Sequence, residues 1–378
     1  MKVKKIAILP KGFTASAVSC GLKKSGKLDL CLFYSKFPAT AEAVFTTNTF
    51  AAAPVVVSKN HLLHTRYVQA VIVNSGNANC FNGKRGLQDA KLMCRLVAEA
   101  LNIPTTSVQV ASTGIIGRPL DTQKIRSAIP RLVKLLSPEN IVYAKQAIMT
   151  TDKFPKEITV EFVWGKRLIT LSGIAKGAGM ISPKMATMLA YIFTDANIKK
   201  SALKEALKEA VDFSFNRISV DGCMSTNDTV LILANGQANN PIIKSGKALS
   251  DFKEALKRVC LFLAKEIVRD GEGATKVIQI KVTNAATQNE AEKAGRAIAN
   301  SNLFKTAMFG ENPNIGRIVA AIGSLGLPIK EEQLKIKLKD LHKKEVKVEV
   351  SLGRGKQQAI IYTSDLSYEY IKINAAYN

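Results

Sequence analysis

Residues 176–196 read KGAGMISPKMATMLAYIFTDA. Two glycines and a proline, all turn formers, lead through Ala186 and Thr187 into the unbroken apolar run 188–193. A short apolar run bounded by turn signals reads as a buried strand, and a β-branched threonine suits its start. The same residues carry a second reading. If the chain is cut before Thr187, its hydroxyl and a newly freed α-amine become nucleophile and base on one residue. The residues alone leave both readings open.

Working outward, 378 residues with 47% hydrophobic content are enough for two or three domains with real cores, in the composition range of globular proteins. The opening MKVKKIAILPKGF has basic residues but only a four-residue apolar run before Pro10. That is far short of a signal peptide or a membrane span, and the expected location is cytoplasmic. The six cysteines are scattered with no CxxC pair, which argues against a zinc ribbon or a disulfide framework. His61, His64 and His342 are the only histidines, and none lies near the glycine-rich segments, which disfavours histidine-based triads and HExxH chemistry. A net charge of +24 raises a nucleic-acid reading. The lysines, however, are spread over helix and strand faces without an aromatic-rich RNA signature. A solvated basic surface that attracts anionic substrates is the better account.

The pattern is mixed α/β throughout. Residues 10–35 alternate glycine turns with short apolar segments, as hairpins do. Residues 70–73 are apolar and run into the small polar loop NSGNANC. Leu87, Ala90, Cys94, Val97 and Leu101 recur at helical spacing, so a helix is expected over 86–102. Ser201 is placed to cap a helix whose apolar face is Leu203, Ala206, Leu207, Ala210 and Val211. Another helix is expected over 250–270, with Gly271 ending it. Alternation at Ile278, Ile280 and Val282, and again at Val346, Val348 and Val350, predicts half-exposed strands. The expected division is a catalytic core over 1–275 and a smaller strand-rich domain over 276–378, parted at the polar GEGATK stretch.

An acyl-transfer site needs a nucleophile, a base and donors aimed at the oxyanion. Thr187 could supply the first two, because an α-amine titrates at about 7.7–8.0, close to what a general base at neutral pH requires. Thr113 and Gly114, within STG, could supply the donors. Further polar islands stand at Thr150-Thr151-Asp152, Lys176, DGCMSTND (221–228), DGEG (270–273) and GENPNIGR (310–317). Each is an ordinary turn signal by itself. Their joint presence makes the case.

Together, KGAGMISPKMATMLAYIFTDA, NSGNANC, ASTGIIG, MTTDKFPK, STNDTV, GENPNIGRI and DLSYEYIKINAAY resemble the ornithine acetyltransferase (glutamate N-acetyltransferase) family of arginine biosynthesis, in family order from about Pro10 to Tyr377. The resemblance implies an aminopeptidase-related fold and a proenzyme that cleaves itself between Ala186 and Thr187. The products would be an alpha chain (1–186) and a beta chain (187–378), two of each in a heterotetramer. It also implies Thr187 as nucleophile, Thr113 and Gly114 as oxyanion hole, and Thr150, Lys176, Thr187, Glu272 and Asn374 as substrate contacts, the C-terminal tail returning to the site. No metal and no cofactor is implied. Two departures stand out. The chain ends Asn374-Ala375-Ala376-Tyr377-Asn378 where the family commonly ends NADYTT, and Cys223-Met224 replace the Asp-Thr of DGDTSTND.

The expected activity is acetyl transfer from N2-acetyl-L-ornithine to L-glutamate through an acetyl-Thr187 ester, with acetyl-CoA left open as a further donor. Lys176 should favour a carboxylate and Glu272 an ammonium. Two rivals remain: a fold-related aminopeptidase or amidase that lets water resolve the acyl-enzyme, and a basic RNA-binding protein. No nucleic acid or membrane partner is expected.

Overall fold

The structure is a computed structural model that describes residues 1–182 and 188–376. The expected cleavage pair Ala186–Thr187 and the last two residues, Tyr377 and Asn378, lie outside the described residues.

The strands in chain order begin with β1 (Lys2–Lys4), β2 (Phe13–Val18), β3 (Leu30–Phe45), β4 (Val68–Asn77) and β5 (Val108–Ile115). They continue with β6 (Lys156–Trp164), β7 (Arg167–Lys176), β8 (Leu189–Thr194), β9 (Ile218–Ser219) and β10 (Thr229–Ala234). The last four are β11 (Val277–Ala285), β12 (Lys335–Lys339), β13 (Glu345–Ser351) and β14 (Gln357–Ser364). The first half carries helices α1 (Ala53–His64), α2 (Gly83–Leu101), α3 (Thr122–Lys134) and α4 (Ile141–Ala147). Then follow α5 (Lys200–Phe213), α6 (Gly246–Arg269), α7 (Gln288–Ala299), α8 (Asn302–Phe309), α9 (Ile315–Gly323) and α10 (Tyr368–Ala375).

One ladder runs β1-β6-β7-β8-β10-β3-β4-β5, with β2 paired to β3. The long β3 joins its two parts. Its first residues, from Leu30, pair with β2 and β4, whereas Thr40 to Phe45 pair with β10, and the register shifts between Tyr34 and Ala39. That irregularity lets one strand serve two sheet layers. Strand β8 shows why the opening stretch is apolar without alternation. Leu189, Tyr191 and Phe193 enter a core shared with Phe33, Val71 and Val73 of the other layer. Ala190 and Ile192 face the opposite way, into a core filled by Leu203 and Leu207 of α5 and Leu256 and Leu263 of α6. A strand buried on both faces has no solvent side on which to place polar residues. On the far side, Leu30, Leu32, Ala70 and Ile72 pack under α2 and α3. The arrangement is helices, sheet, sheet, helices.

A second sheet runs β12-β13-β11-β14-β9. Ile278, Ile280, Val282, Val346, Val348 and Val350 turn one face of it into a core with Ala294, Ile298, Phe304 and Ile318 of α7, α8 and α9. The other face is lined by Lys281, Lys347 and Glu349, so the period-two expectation holds. One of its strands, β9, comes from the middle of the chain and pairs in parallel with β14.

The helix expected over 86–102 begins at Gly83 and ends at Leu101, with Asn102 left-handed at its C-cap. The helix expected from 250 begins four residues earlier, at Gly246. Ser201 does not cap α5. The helix starts at Lys200 behind an extended Lys199, because an Ile198–Ile243 bridge and the Lys199 N–H to Ile243 carbonyl bond end the preceding extended segment there. Among the described residues no helix is long and apolar enough to cross a membrane.

Candidate active site

Four of the polar islands of the sequence, together with the STG segment and the C-terminal helix, meet at one cavity, whereas GENPNIGR (310–317) does not line it. Thr113 and Gly114 lie at the end of β5, Lys176 closes β7, and Ser225 and Asn227 precede β10. Thr150 follows α4, Glu272 follows α6, and Asn374 belongs to α10. Together with Ala78, Ile116, Thr151, Gly179 and Met180 they enclose a cavity of about 120 Å³. A larger hollow of about 820 Å³, beside Thr46, Lys59, Lys204 and Lys208, contains none of these groups.

Two glycines shape the cavity by what they leave out. Gly114 has φ +133, and a Cβ there would stand 2.4 Å from the Gly76 carbonyl carbon, so β4 and β5 approach at a distance only glycine permits. A Cβ on Gly179 would meet the Glu272 carboxylate at 2.4 Å. The Glu272 side chain therefore lies across the Gly179 backbone. Its Oε2 accepts from Asn374 Nδ2 at 2.9 Å, which draws the C-terminal helix to the pocket wall. Ser367 Oγ donates to the Gly273 carbonyl at 2.5 Å and fixes the start of the same helix.

Lys176 is 2% exposed, and its ammonium donates to Thr150 Oγ1 at 2.8 Å and to Thr113 Oγ1 at 3.4 Å. Burial pushes this ammonium below its ordinary value, and the Asp152 carboxylate at 3.8 Å works against that push. Burial would raise the Asp152 carboxyl, but Lys176 and Lys156 outweigh it and hold the group well below the usual carboxylate range. The cavity therefore presents a cation from β7 and a carboxylate from the loop after α6. That polarity suits a zwitterionic amino acid.

Met188, the first described residue beyond the expected cleavage point, donates its N–H to Asp228 Oδ1 at 3.0 Å. Burial pushes the Asp228 carboxyl well above the usual range. Its neighbour Asn227 donates through Nδ2 to the carbonyls of Ala78 at 2.7 Å and Ser112 at 2.8 Å, tying the approach to β10 to the strands that carry Thr113.

Thr113, Gly114, Thr150, Lys176, Glu272 and Asn374 thus share one cavity, and Thr187 lies outside the described residues. Ser225 and Asn227 line the cavity as well. The sequence marked their segment only as a turn-rich island, and Asp152 and Asp228 were likewise inside quoted motifs without a role. Cys223 and Met224 do not line the cavity: Cys223 is exposed, and the Met224 carbonyl accepts from Asn48 Nδ2 at 3.1 Å. No histidine does either, and His61 is buried with Nδ1 2.8 Å from the Val108 carbonyl. Among the described residues no cluster of three His, Cys, Asp or Glu side chains is arranged to hold a metal ion.

Comparison with known proteins finds relatives that match nearly the whole chain. The arginine biosynthesis bifunctional protein ArgJ of Oceanobacillus iheyensis is 43% identical over 404 residues, covering 99% of this chain and 98% of its own. The protein of the same designation from Caldanaerobacter subterraneus is 45% identical over 394 residues, covering 98% and 97%. Among solved structures, ArgJ of Bacillus halodurans is 35% identical across 50% of this chain and 98% of its own, with a TM-score of 0.46. The ornithine acetyltransferase of Mycobacterium tuberculosis, complexed with ornithine, is 34% identical across 48% and 97%, with a TM-score of 0.45. With residues 14–378 matching that family and full-length relatives above 40% identity, the chain belongs to the ArgJ family.

Proposed function

We propose that this protein transfers the acetyl group of N2-acetyl-L-ornithine to the α-amine of L-glutamate in arginine biosynthesis, after cleaving itself between Ala186 and Thr187. The observation that carries this reading is the convergence of Lys176, Thr113, Gly114, Thr150, Glu272 and Asn374 on one small cavity beside the start of β8. The chain reaches Met188, next after Thr187, within one hydrogen bond of Asp228.

In the first half-reaction Thr187 Oγ attacks the acetyl carbonyl, and its α-amine takes the hydroxyl proton. Thr113 Oγ1–H and the Gly114 N–H stabilise the oxyanion. Collapse breaks the C–N bond, the α-ammonium protonates the departing amine, and ornithine leaves an acetyl-Thr187 ester. In the second, the neutral amine of glutamate attacks that ester and the steps reverse. Both substrates carry the same α-amino acid head, which one cavity with a cation and a carboxylate can hold in turn. The designation of the relatives as bifunctional extends the proposal to acetyl-CoA as a second donor, giving N-acetylglutamate directly. Two alpha and two beta chains in the cytoplasm complete the reading.

The test combines intact mass with acetyl transfer. The purified protein should yield two pieces meeting at Ala186/Thr187 and move labelled acetyl from acetylornithine to glutamate faster than to water. Thr187→Ala should remain one uncut chain without transfer, since no side-chain nucleophile remains to attack the Ala186 carbonyl. Fragments starting at residue 187 in that variant would defeat self-processing. Release of free acetate in place of acetylglutamate would favour the amidase reading.

A further inference from the structure

The island Thr150-Thr151-Asp152 contributes Thr150 and Thr151 to the cavity wall, whereas Asp152 is turned away and fully buried. Its carboxylate is surrounded by four groups. Oδ1 accepts from the Gly177 N–H at 2.6 Å and from Lys156 Nζ at 2.6 Å. Oδ2 accepts from the Thr150 N–H at 3.0 Å and faces Lys176 Nζ at 3.8 Å. Lys156 is shared with Asp270, which also accepts from the Lys153 N–H at 3.0 Å through the same oxygen. Asp270 is the C-cap of α6, two residues before Glu272.

We propose that Asp152 is the positioning residue of the acetyl-transfer site, holding the Lys176 ammonium, the Thr150 backbone and the Gly177 turn as one unit against the substrate cavity. Three observations support it. Asp152 is the one carboxylate within 4 Å of Lys176 among the described residues. It bonds the backbone on both sides of the cavity floor, at Thr150 and at Gly177 next to Lys176. Lys156 has a second partner in Asp270, so loss of Asp152 would leave Lys156 paired and Lys176 without a direct counter-ion. Other charges face Lys176 from farther off: Glu272 from the loop after α6, Asp228 from the approach to β10, Lys156 from β6 and Lys23 from the loop after β2. The two carboxylates favour its charged form and the two lysines oppose it. Burial opposes it as well, which makes the nearest carboxylate decisive.

This inference rests on the reading of the cavity as an amino-acid site, and the test separates the two. In the processed wild-type enzyme, KM for glutamate should rise on the alkaline side as Lys176 loses its proton. In Asp152→Asn that rise should move at least one pH unit toward acid, and kcat/KM at neutral pH should fall at least tenfold. Asp152→Glu, which keeps the charge, should return the alkaline limb to its wild-type position. An Asp152→Asn limb at the wild-type pH, lowered only in amplitude, would overturn the proposal. A thermal-unfolding cycle with Lys176→Met needs no turnover. The loss of stability caused by Asp152→Asn should be smaller in the Lys176→Met background, because no unpaired ammonium is then left behind. An equal loss in both backgrounds would overturn the proposal. If Asp152→Asn alone does not fold, the double variant should; failure of both assigns Asp152 to Lys156 alone and ends the proposal. Coupling in a protein without transfer activity would sink the functional reading and leave the positioning intact.

Discussion

Lys176 and Lys305 are both buried, in different halves of the molecule, and their partners differ in kind. Lys176 has a carboxylate at 3.8 Å and two threonine hydroxyls that also border an open cavity. Lys305, on α8 of the second region, hydrogen-bonds to neutral acceptors, with the Asp365 and Asp221 carboxylates farther off. It donates to the Val220 carbonyl at 2.7 Å, the Ser364 carbonyl at 2.5 Å, Thr363 Oγ1 at 3.2 Å and Ser364 Oγ at 3.3 Å. Burial lowers its pKa to about 8. The contrast separates a charge that borders a cavity from a donor used as a clamp. With its N–H donors satisfied inside the protein, Lys305 ties α8 to β14 and to the segment after β9. Next to Val220, Asp221 accepts from the N–H groups of Met180 and Ile181 at 2.6 and 2.9 Å and holds the chain that leads toward the proposed cleavage point. The second region thus supports the site through Val220 and Asp221, and through the α10 tail that reaches Glu272.

Substitutions should divide along the same line, activity on one side and stability on the other. The largest effect belongs to Thr113→Ala in the cavity. Losing one oxyanion donor typically lowers kcat about 10²–10³-fold, measured on protein shown by mass to be processed, with unfolding temperature unchanged. Wild-type turnover would remove Thr113 from the site. Lys176→Met comes next. A hydrogen bond to a charged group contributes about 1.5–3 kcal/mol, so kcat/KM for glutamate should drop roughly tenfold to a hundredfold. A variant that loses stability but keeps kcat/KM would erase the contrast with Lys305.

On the other side of the comparison, Lys305→Met should leave two buried carbonyls short of a donor and cost about 1–3 kcal/mol of stability, with kcat per processed molecule retained. The pH dependence gives a second measurement. The folded pKa of Lys305, about 8, lies below the ordinary lysine value of 10.5, so the unfolded chain binds more protons between these pH values. The cost of burying the charge is fully present below pH 8 and is relieved as pH rises toward 10.5, so this lysine makes stability increase across that window. Denaturant titrations should show a shallower pH slope in Lys305→Met than in wild type; equal slopes would mean that Lys305 does not change its proton affinity on folding.

The smallest effect is expected where the two regions touch. Asn374→Ala removes the 2.9 Å bond to the Glu272 carboxylate from an exposed residue, where competition from water keeps the net contribution to about 0.5–1.5 kcal/mol. KM for ornithine or glutamate should rise by up to roughly tenfold with little change in kcat, the sign of uniform binding. If kcat falls instead, the tail acts on the reacting groups through Glu272.

The sequence by itself determined the local elements, and its motifs marked six of the residues that line the cavity. Strand β8, the apolar faces of α2, α5 and α6 and the alternation of β11 and β13 were legible because helical and strand periodicities are imposed by neighbours a few residues away. Thr113 and Gly114 stood out as donors in a strand-end turn, whereas Thr150, Lys176, Glu272 and Asn374 were marked as contacts by the resemblance of their motifs to the ornithine acetyltransferase family. Tertiary structure decided what those residues touch. Lys156 meets Asp270 across 114 residues of chain, and Asn374 meets Glu272 across 102. Nothing in the periodicity around Asp152 distinguishes a buried counter-ion from a solvated turn residue, since the two differ only in what distant strands bring beside them. The early start of α5 has the same cause: Ser201 is a good cap by type, but a bridge to Ile243 settles where the helix can begin. Charge pairing, burial and strand crossing depend on contacts that close only when both sheet layers and the C-terminal tail are in place.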